Sequence, residues 1–204
     1  MIRCLNTIWL CIGWATKNPP AASGGYNAVK AFRGFNKAKN YEQFAEAGQY
    51  FDIPAQNFAF ASKSGDIALR CMGKYPIKNK GQGRFIQDGT TSANAWGGFV
   101  PYAHIPQYKN PTRGFVMSAN QHTTDPSYPY YYNDEYFEPF RGRLLHRLLT
   151  KMDSITIDDM KNLQSNNYSL MAEDALPHLL KNTDSTALDA VEKTPIRGFE
   201  KLEL

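Results

Sequence analysis

A tight turn between two short apolar segments constrains the fold of this chain most strongly. The turn covers residues 110–114, where a proline fixes one backbone angle and a glycine supplies a left-handed position. Residues 96–102 precede the turn and residues 115–119 follow it, and both segments are typical of short strands. Asn120 comes directly after the second segment, and its side chain offers two amide protons and one carbonyl oxygen. A carboxamide held at a strand end is the kind of donor that an oxyanion hole requires.

A second hairpin and two helices are predicted upstream of this turn. Residues 57–62 alternate with the period of a strand, and residues 67–72 return as its partner after a glycine-containing turn. Asn40 is a favourable N-cap for a helix over Tyr41–Gln49, and an earlier helix is predicted over Ala28–Asn36.

The second half of the chain has the pattern of helices. Apolar residues recur at helical spacing after Pro139, a residue that suits the first helical position. Thr156 and Ser169 are N-cap candidates for two further helices, and Pro177 is expected to kink the last one. Strands in the first half followed by helices in the second indicate an α+β fold.

An ordered series of motifs resembles the penicillin acylase (penicillin amidase) family of N-terminal-nucleophile hydrolases. The family pattern places Trp-x-Gly and a proline ahead of Asn-Pro-x-x-Gly, and it ends on Ala-Asn. The matching residues here are Asn40, Gln56-Asn57, Ser64-Gly65-Asp66, Gly73, Trp96, Gly98, Pro101, Pro106, Asn110-Pro111, Gly114, Ala119-Asn120, Arg141, Arg147-Leu148-Leu149 and Leu176-Pro177. The resemblance extends from about Trp14 to Leu180.

The resemblance implies part of a four-layer αββα sandwich, in which two sheets lie between layers of helices. We expect a single partial domain over residues 1–204. Its segments are expected to be an irregular N-terminal segment (1–25), helices and strands that carry the carboxamide motif (26–135), a helical segment (136–182) and a weakly structured tail (183–204).

The activity that the resemblance implies is hydrolysis of N-acyl amide bonds. Family members carry the nucleophile, usually Ser, as the first residue of a processed chain, and its own α-amine acts as the base. The chain begins Met1-Ile2-Arg3-Cys4, and no motif resembles the processing junction. We therefore expect an interior fragment of the β-chain region that is inactive alone. The expected partners are the small N-acyl substrate of the parent enzyme and the remainder of the acylase.

Two asparagines are candidates for the site. The resemblance assigns Asn120 to the oxyanion hole, whereas the residues alone favour a cap for the following loop. Asn57 matches a recurrent family asparagine, which either supports the site through hydrogen bonds or only holds the sheet.

Arg141 is the third candidate. Phe137 lies four residues before it and Leu145 four residues after it, which predicts a position on the apolar side of its helix. An inward arginine needs a carboxylate or a polar site, because a buried lone charge is costly. It matches an active-site arginine of the family, and a structural ion pair explains it equally well. The exposed stripe of the same helix is expected to contain Arg143, Arg147 and Lys151.

No cofactor is expected for this chain. In some family members the loop after the catalytic asparagine gives a carboxylate to a structural calcium, so calcium is possible in the full-length parent. Calcium takes roughly six to eight oxygen ligands. Asp125 and Asp134 are available here, but the family position falls near Tyr132-Asn133 and the other ligands would lie upstream. The three cysteines, Cys4, Cys11 and Cys71, show no zinc spacing and are expected to be inert thiols.

Composition argues against nucleic-acid and membrane functions. The net charge of +4 is mild and no run is rich in Lys and Arg, and no apolar run approaches the ~20 residues of a membrane span. Residues 1–15 fit either a signal peptide or a strand of the domain. Family members are periplasmic or secreted, and the location of this chain stays open.

An alternative function is a non-catalytic binding module. Four tyrosines and one phenylalanine follow Asn120 and could form a stacking surface for sugars or aromatic ligands. This function requires exposed aromatic rings on one face. The five residues are Tyr128, Tyr130, Tyr131, Tyr132 and Phe137.

Overall fold

The computed structural model describes residues 26–133, 138–184 and 186–199. The helices are α1 (Tyr26–Lys37), α2 (Tyr41–Gly48), α3 (Phe140–Lys151), α4 (Ile157–Gln164), α5 (Leu170–Lys181) and α6 (Ala190–Phe199). The strands are β1 (Gln56–Ala61), β2 (Ile67–Met72) and β3 (Gln107–Lys109). Strands precede the main group of helices, which confirms the α+β class. No helix among these residues is long and apolar enough to cross a membrane.

The described residues form two compact units. The first, called the sheet unit, contains residues 26–118 and 122–133. The second, called the helical unit, contains residues 119–121 together with the described residues from 138 onward. The division into one partial domain with the segment boundaries given above stays a prediction.

The sheet unit is built on a three-stranded antiparallel sheet in the order β1-β2-β3. The predicted hairpin is confirmed, and its turn closes through a hydrogen bond from Ser62 N to Asp66 O of 2.9 Å. Gly65 has φ +92° in this turn, a conformation that glycine adopts without strain. The hairpin register places Ala61 opposite Ile67 and Asn57 opposite Cys71. Residues 68–72 of β2 are all buried, so the central strand is covered on both faces.

Helices α1 and α2 cover one face of this sheet. Asn40 caps α2 as predicted, because its side chain accepts a hydrogen bond of 2.9 Å from Gln43 N. Phe58 and Phe60 of β1 pack against the buried core of this face. The buried members of that core are Ala31, Tyr41, Phe44, Phe51, Ala68 and Met72.

The two apolar segments that flank the turn at 110–114 do not form strands, so that prediction is wrong. Residues 96–102 form an isolated bridge from Phe99 to Pro76 and three backbone hydrogen bonds with residues 75–77 but no strand, and residues 115–119 lie in no ladder. The third strand is β3, just before the turn, and it occupies the free edge of β2. A strand requires a partner edge as well as a suitable pattern, and the apolar residues here pack instead, with Val100 buried.

The helical unit is held by capped helices and ion pairs. Thr156 and Asp159 form a capping box at α4, and Ser169 caps α5 by accepting from Ala172 N. Helix α5 continues through Pro177 to Lys181. Arg147 was expected on an exposed stripe, and this is wrong: it is half-buried and donates two hydrogen bonds to Glu173 of 2.9 and 3.0 Å. Arg143 pairs with Asp174 at 3.1 Å, a second link from α3 to α5.

We predict that replacing Gly34 by Ala destabilises the sheet unit by about 1–3 kcal/mol. The new Cβ would lie 2.5 Å from Ala47 Cβ, so α1 and α2 would have to separate. This cost exceeds the gain in helix propensity of about 1 kcal/mol. Urea unfolding measures the change, with Gly89→Ala as the control, since a Cβ there meets nothing within 4 Å. Equal stability of the two variants would contradict the close packing of α1 and α2.

Candidate functional site

Asn120 is held in an unusual backbone conformation. Its φ is +62°, a left-handed position that asparagine tolerates better than other side-chain-bearing residues. Arg141 in the first turn of α3 donates from Nη1 to Asn120 Oδ1 at 3.1 Å. The carbonyl end of the amide therefore points to the guanidinium, and the two amide protons point elsewhere. Among the described residues Nδ2 has no hydrogen-bond partner.

The neighbours of Asn120 lie against the start of α3. Gln121 Oε1 accepts a hydrogen bond of 2.6 Å from Ala119 N, which closes the loop on itself. The Gln121 side chain lies beside Gly142, where an added Cβ would be 3.4 Å from Gln121 Cβ. The unsatisfied backbone amides of a helix N-terminus carry a partial positive charge. The exposed carboxamide of Asn120 thus lies at the positively polarised end of α3 and beside a guanidinium.

Arg141 does not lie on the apolar side of its helix, so that expectation is wrong. Its side chain is exposed, and the buried positions of α3 are Gly142, Leu144 and Leu149. The helix begins at Phe140, so helical spacing does not extend back to residue 137, which lies outside the described residues. The hydrogen bond to Asn120 is the only polar contact of its side chain within the described part of the chain.

Asn57 is paired at both ends of its side-chain amide. Its Nδ2 donates to Ser118 Oγ at 2.8 Å, and its Oδ1 accepts from Cys71 Sγ at 2.9 Å. The contact with Cys71 was not foreseen. The predicted four-residue turn at 63–66 would pair residue 62 with 67 and hence 57 with 72, whereas the observed register pairs 61 with 67 and 57 with 71. These contacts join Asn57 to the side chain of Ser118, two residues before Asn120, and its part in catalysis stays a prediction.

A cavity of about 300 Å³ lies in the sheet unit. One wall is apolar and comes from the sheet and the adjoining Pro106, and the other wall carries the hydroxyls of the loop after residue 122. Burial, together with the neighbouring Tyr132 and Tyr130, raises the pKa of Tyr128 to about 12. The residues that line this cavity include Cys71, Tyr108 and Tyr128.

The tyrosines after Asn120 pack on one another more than they face solvent. Tyr75 and Tyr132 stack with ring centroids 5.2 Å apart and an interplanar angle of 29°. Tyr128 meets Tyr130 edge-on at 5.7 Å, and its hydroxyl donates to His104 O. The four tyrosines proposed for a stacking surface are half-buried. An open aromatic face, which a binding module needs, is therefore not what these rings form.

Asp125, one of the two carboxylates available in the loop after Asn120, is hydrogen-bonded within its own loop. Asp125 Oδ1 accepts from both Ser127 N, at 2.8 Å, and Ser127 Oγ, and these bonds hold the pKa of Asp125 below its usual value. Asp134 lies outside the described residues. Within residues 26–133, 138–184 and 186–199 no group of three or more His, Cys, Asp or Glu side chains is placed to hold a metal ion.

A family model described as penicillin amidase matches residues 8–202, which is nearly the whole chain. An acyl-homoserine lactone acylase QuiP of Pseudomonas fluorescens (strain Pf0-1) is 26% identical over 144 residues, which cover 70% of this chain and 18% of the relative. The penicillin acylase 2 proenzyme of Pseudomonas sp. (strain SE83) is 19% identical over 132 residues, which cover 65% of this chain and 17% of the relative. The chain thus spans less than a fifth of the length of these relatives.

A solved structure shows the same fold. The thermostable penicillin G acylase of Alcaligenes faecalis superposes with a TM-score of 0.61 at 23% identity. The match covers 82% of this chain and 31% of that one. The sequence-based expectation of an N-terminal-nucleophile hydrolase fold is confirmed by this match.

We predict that Tyr128 titrates about two units above a free tyrosine. The folded chain holds this proton more tightly than the unfolded chain, whose tyrosines titrate near 10. The stability of the sheet unit should therefore decline as the pH rises from about 10 to about 12. An NMR titration of the tyrosine ring carbons measures the pKa, and Tyr128→Phe identifies the signal. A transition near pH 10 would show that the ring is fully solvated.

Proposed function

This chain belongs to the penicillin amidase family, and from this premise we propose that it supplies the oxyanion-binding side of an amidohydrolase that cleaves N-acyl amides. The relationship to acylases is established by the family match and by the relatives that share it. The roles of individual residues and the substrate are our proposal.

The hydrogen bond from Arg141 Nη1 to Asn120 Oδ1 carries the proposal. A carboxamide can donate to an oxyanion only if its nitrogen end faces the substrate, and a cation on the oxygen end enforces that orientation. The two Nδ2 protons are then available without any rearrangement, which is the condition for effective electrostatic stabilisation. Removing one such donor from an enzyme typically lowers kcat by about 10²–10³.

The proposed reaction is an acyl transfer in two steps. A nucleophile supplied from outside these 204 residues attacks the amide carbonyl, and negative charge develops on the carbonyl oxygen. Asn120 Nδ2 donates to this oxygen while the tetrahedral intermediate expels the amine. An acyl-enzyme remains, and water releases the acid through a second intermediate that the same donor stabilises.

The proposed role of Arg141 is to orient the amide and to add positive charge. Its guanidinium contacts the Asn120 side chain, so it affects the oxyanion mainly through that residue. The positive charge of the guanidinium favours the developing oxyanion.

The proposed substrate is a small N-acylated amine. The named relatives act on acyl-homoserine lactones and on penicillins, and both classes present an acyl amide to the nucleophile. We propose one of these two amide classes for the parent enzyme. The proposed macromolecular partner is the remaining part of such an acylase.

We predict that the purified 204-residue polypeptide does not hydrolyse amides. The oxyanion donor alone provides no nucleophile, and an acyl-enzyme needs both. The measurement is release of the free amine from an acyl-homoserine lactone and from benzylpenicillin, followed by mass spectrometry. Turnover that co-purifies with the chain and is abolished by its removal would overturn the assignment of the nucleophile to another segment.

The proposed role of Asn120 is tested in a chimera. The segment of an acyl-homoserine lactone acylase that matches this chain is replaced by residues of this chain, and Asn120→Ala is expected to lower kcat by about 10²–10³ with little change in KM. Asn110→Ala is the matched control, because both asparagines have positive φ, 62° and 47°.

Comparing Asn120→Ala with Asn110→Ala separates an effect on folding stability from an effect on the chemical step. Each substitution removes an asparagine from a left-handed position and costs folding energy for that reason. Only Asn120→Ala should affect the chemical step. An equal loss of kcat in both variants would show that the effect comes from folding and would remove Asn120 from the oxyanion hole.

A further inference from the structure

The backbone that leads into Asn120 is anchored by two side chains of the sheet. Asn57 of β1 donates from Nδ2 to Ser118 Oγ at 2.8 Å. Tyr108 of β3 donates from its hydroxyl to Met117 O at 3.3 Å. The two anchors therefore hold consecutive residues, 117 and 118, and they come from the two edge strands of the sheet. Residues 115–119 lie in no ladder, so side chains replace the missing backbone pairing.

The first anchor depends on the orientation of one amide. The Asn57 side chain has an oxygen end and a nitrogen end of nearly the same shape, and only the nitrogen end can donate to Ser118. Cys71 lies opposite Asn57 in the β1–β2 register, and its Sγ donates to Asn57 Oδ1 at 2.9 Å. A donor on the oxygen end leaves the nitrogen end for Ser118.

The Cys71 side chain is suited to act as this donor. It is 1% exposed, and burial raises the pKa of its thiol above the usual value. This shift favours the protonated thiol, which carries the S–H that a donor needs. The hydroxyls of Thr123, Tyr132 and Tyr75 also approach the sulfur, which fixes its position.

We propose that Cys71 is a positioning residue that acts through Asn57 on Ser118 and so on the backbone entering Asn120. The importance of Cys71 for catalysis rests on the proposed function, whereas the contacts themselves are tested without measuring enzymatic activity. A buried thiol that only fills space would be replaceable by any side chain of similar volume. A thiol that orients an amide is replaceable only by another donor.

The test compares three substitutions in the full 204-residue chain. Cys71→Ser retains a donor, Cys71→Val has no donor and is somewhat larger, and Cys71→Ala, which has no donor and is smaller, serves if the valine variant fails to fold. Exchange of the Asn57 side-chain amide protons and of the backbone amide of Ser118 is measured by NMR. Both rates are divided by that of the Leu69 amide in the central strand, which removes any general loss of stability.

We expect Cys71→Val to accelerate the normalised exchange by about tenfold, the effect of one lost hydrogen bond, and Cys71→Ser by less than about threefold. A double-mutant cycle with Asn57→Ala, for which only the Ser118 backbone amide is read, locates the pathway, because Cys71→Val should add nothing once the Asn57 amide is absent. Tyr108→Phe, which removes the other anchor, is expected to stay additive with Cys71→Val.

Two results would overturn the proposal. Equal exchange in the valine and serine variants would reduce Cys71 to a space-filling residue. An undiminished effect of Cys71→Val in the Asn57→Ala background would show that the thiol acts by another route. Neither result bears on whether Asn120 stabilises an oxyanion, which the chimera tests separately.

Discussion

The hydrogen bond between a guanidinium and a carboxamide oxygen is the interaction on which the site depends. An amide is nearly symmetric in shape and opposite in polarity at its two ends, so its usefulness as a donor depends on what holds the oxygen end. Arg141 provides that hold for Asn120, and the left-handed backbone at residue 120 places the side chain beside the first turn of α3. Both features are local to residues 119–121 and the start of one helix, so this short part of the chain carries the geometry.

In the sheet unit, too, a donor holds the oxygen end of a side-chain amide, but this donor is a different chemical group. There the oxygen end of Asn57 is held by a thiol, and its nitrogen end holds a serine hydroxyl. A guanidinium is charged and tolerates exposure, whereas a thiol is a weak donor and contributes only when burial excludes competing water. Arg141 is exposed, where a charged donor still binds the amide oxygen. Cys71 is buried, where a weak thiol donor can do so.

Sequence reasoning succeeded where structure is decided by neighbours along the chain. The Asn40 and Thr156 caps and the 57–62/67–72 hairpin each depend on residues within about five positions, and each is present. It failed where an edge or a face is decided at long range. The pattern of residues 115–119 suits a strand, but β3 takes the edge of β2. The sequence could not reveal which segment would pair with the edge of β2.

The arginines of α3 illustrate the same limit on the site. Helical spacing placed Arg141 inward and Arg147 outward, and the structure has the reverse, because Glu173 of α5 draws Arg147 into a two-point ion pair. The spacing of apolar residues within one helix cannot show that a side chain will form an ion pair with a residue on another helix. The ordered motifs nevertheless named Asn120 and Arg141 together, and the structure places the two side chains in contact, while their roles in catalysis stay a prediction. Motifs retain information about three-dimensional contacts that periodicity lacks.

The proposed function assigns the oxyanion donor and the nucleophile to different segments, which has a consequence for how such an enzyme is assembled. The donor needs only a rigid amide and a nearby cation, which α3 and residues 119–121 supply within one unit. The nucleophile needs a free α-amine and hence a chain terminus. A rigid amide and a free chain terminus can therefore be supplied by different segments. Productive catalysis then depends on aligning the donor with the nucleophile to about half an ångström. Asn57 and Tyr108 contact residues 118 and 117, which precede Asn120 along the chain, so under the proposed function these anchors would restrict the backbone that carries the donor.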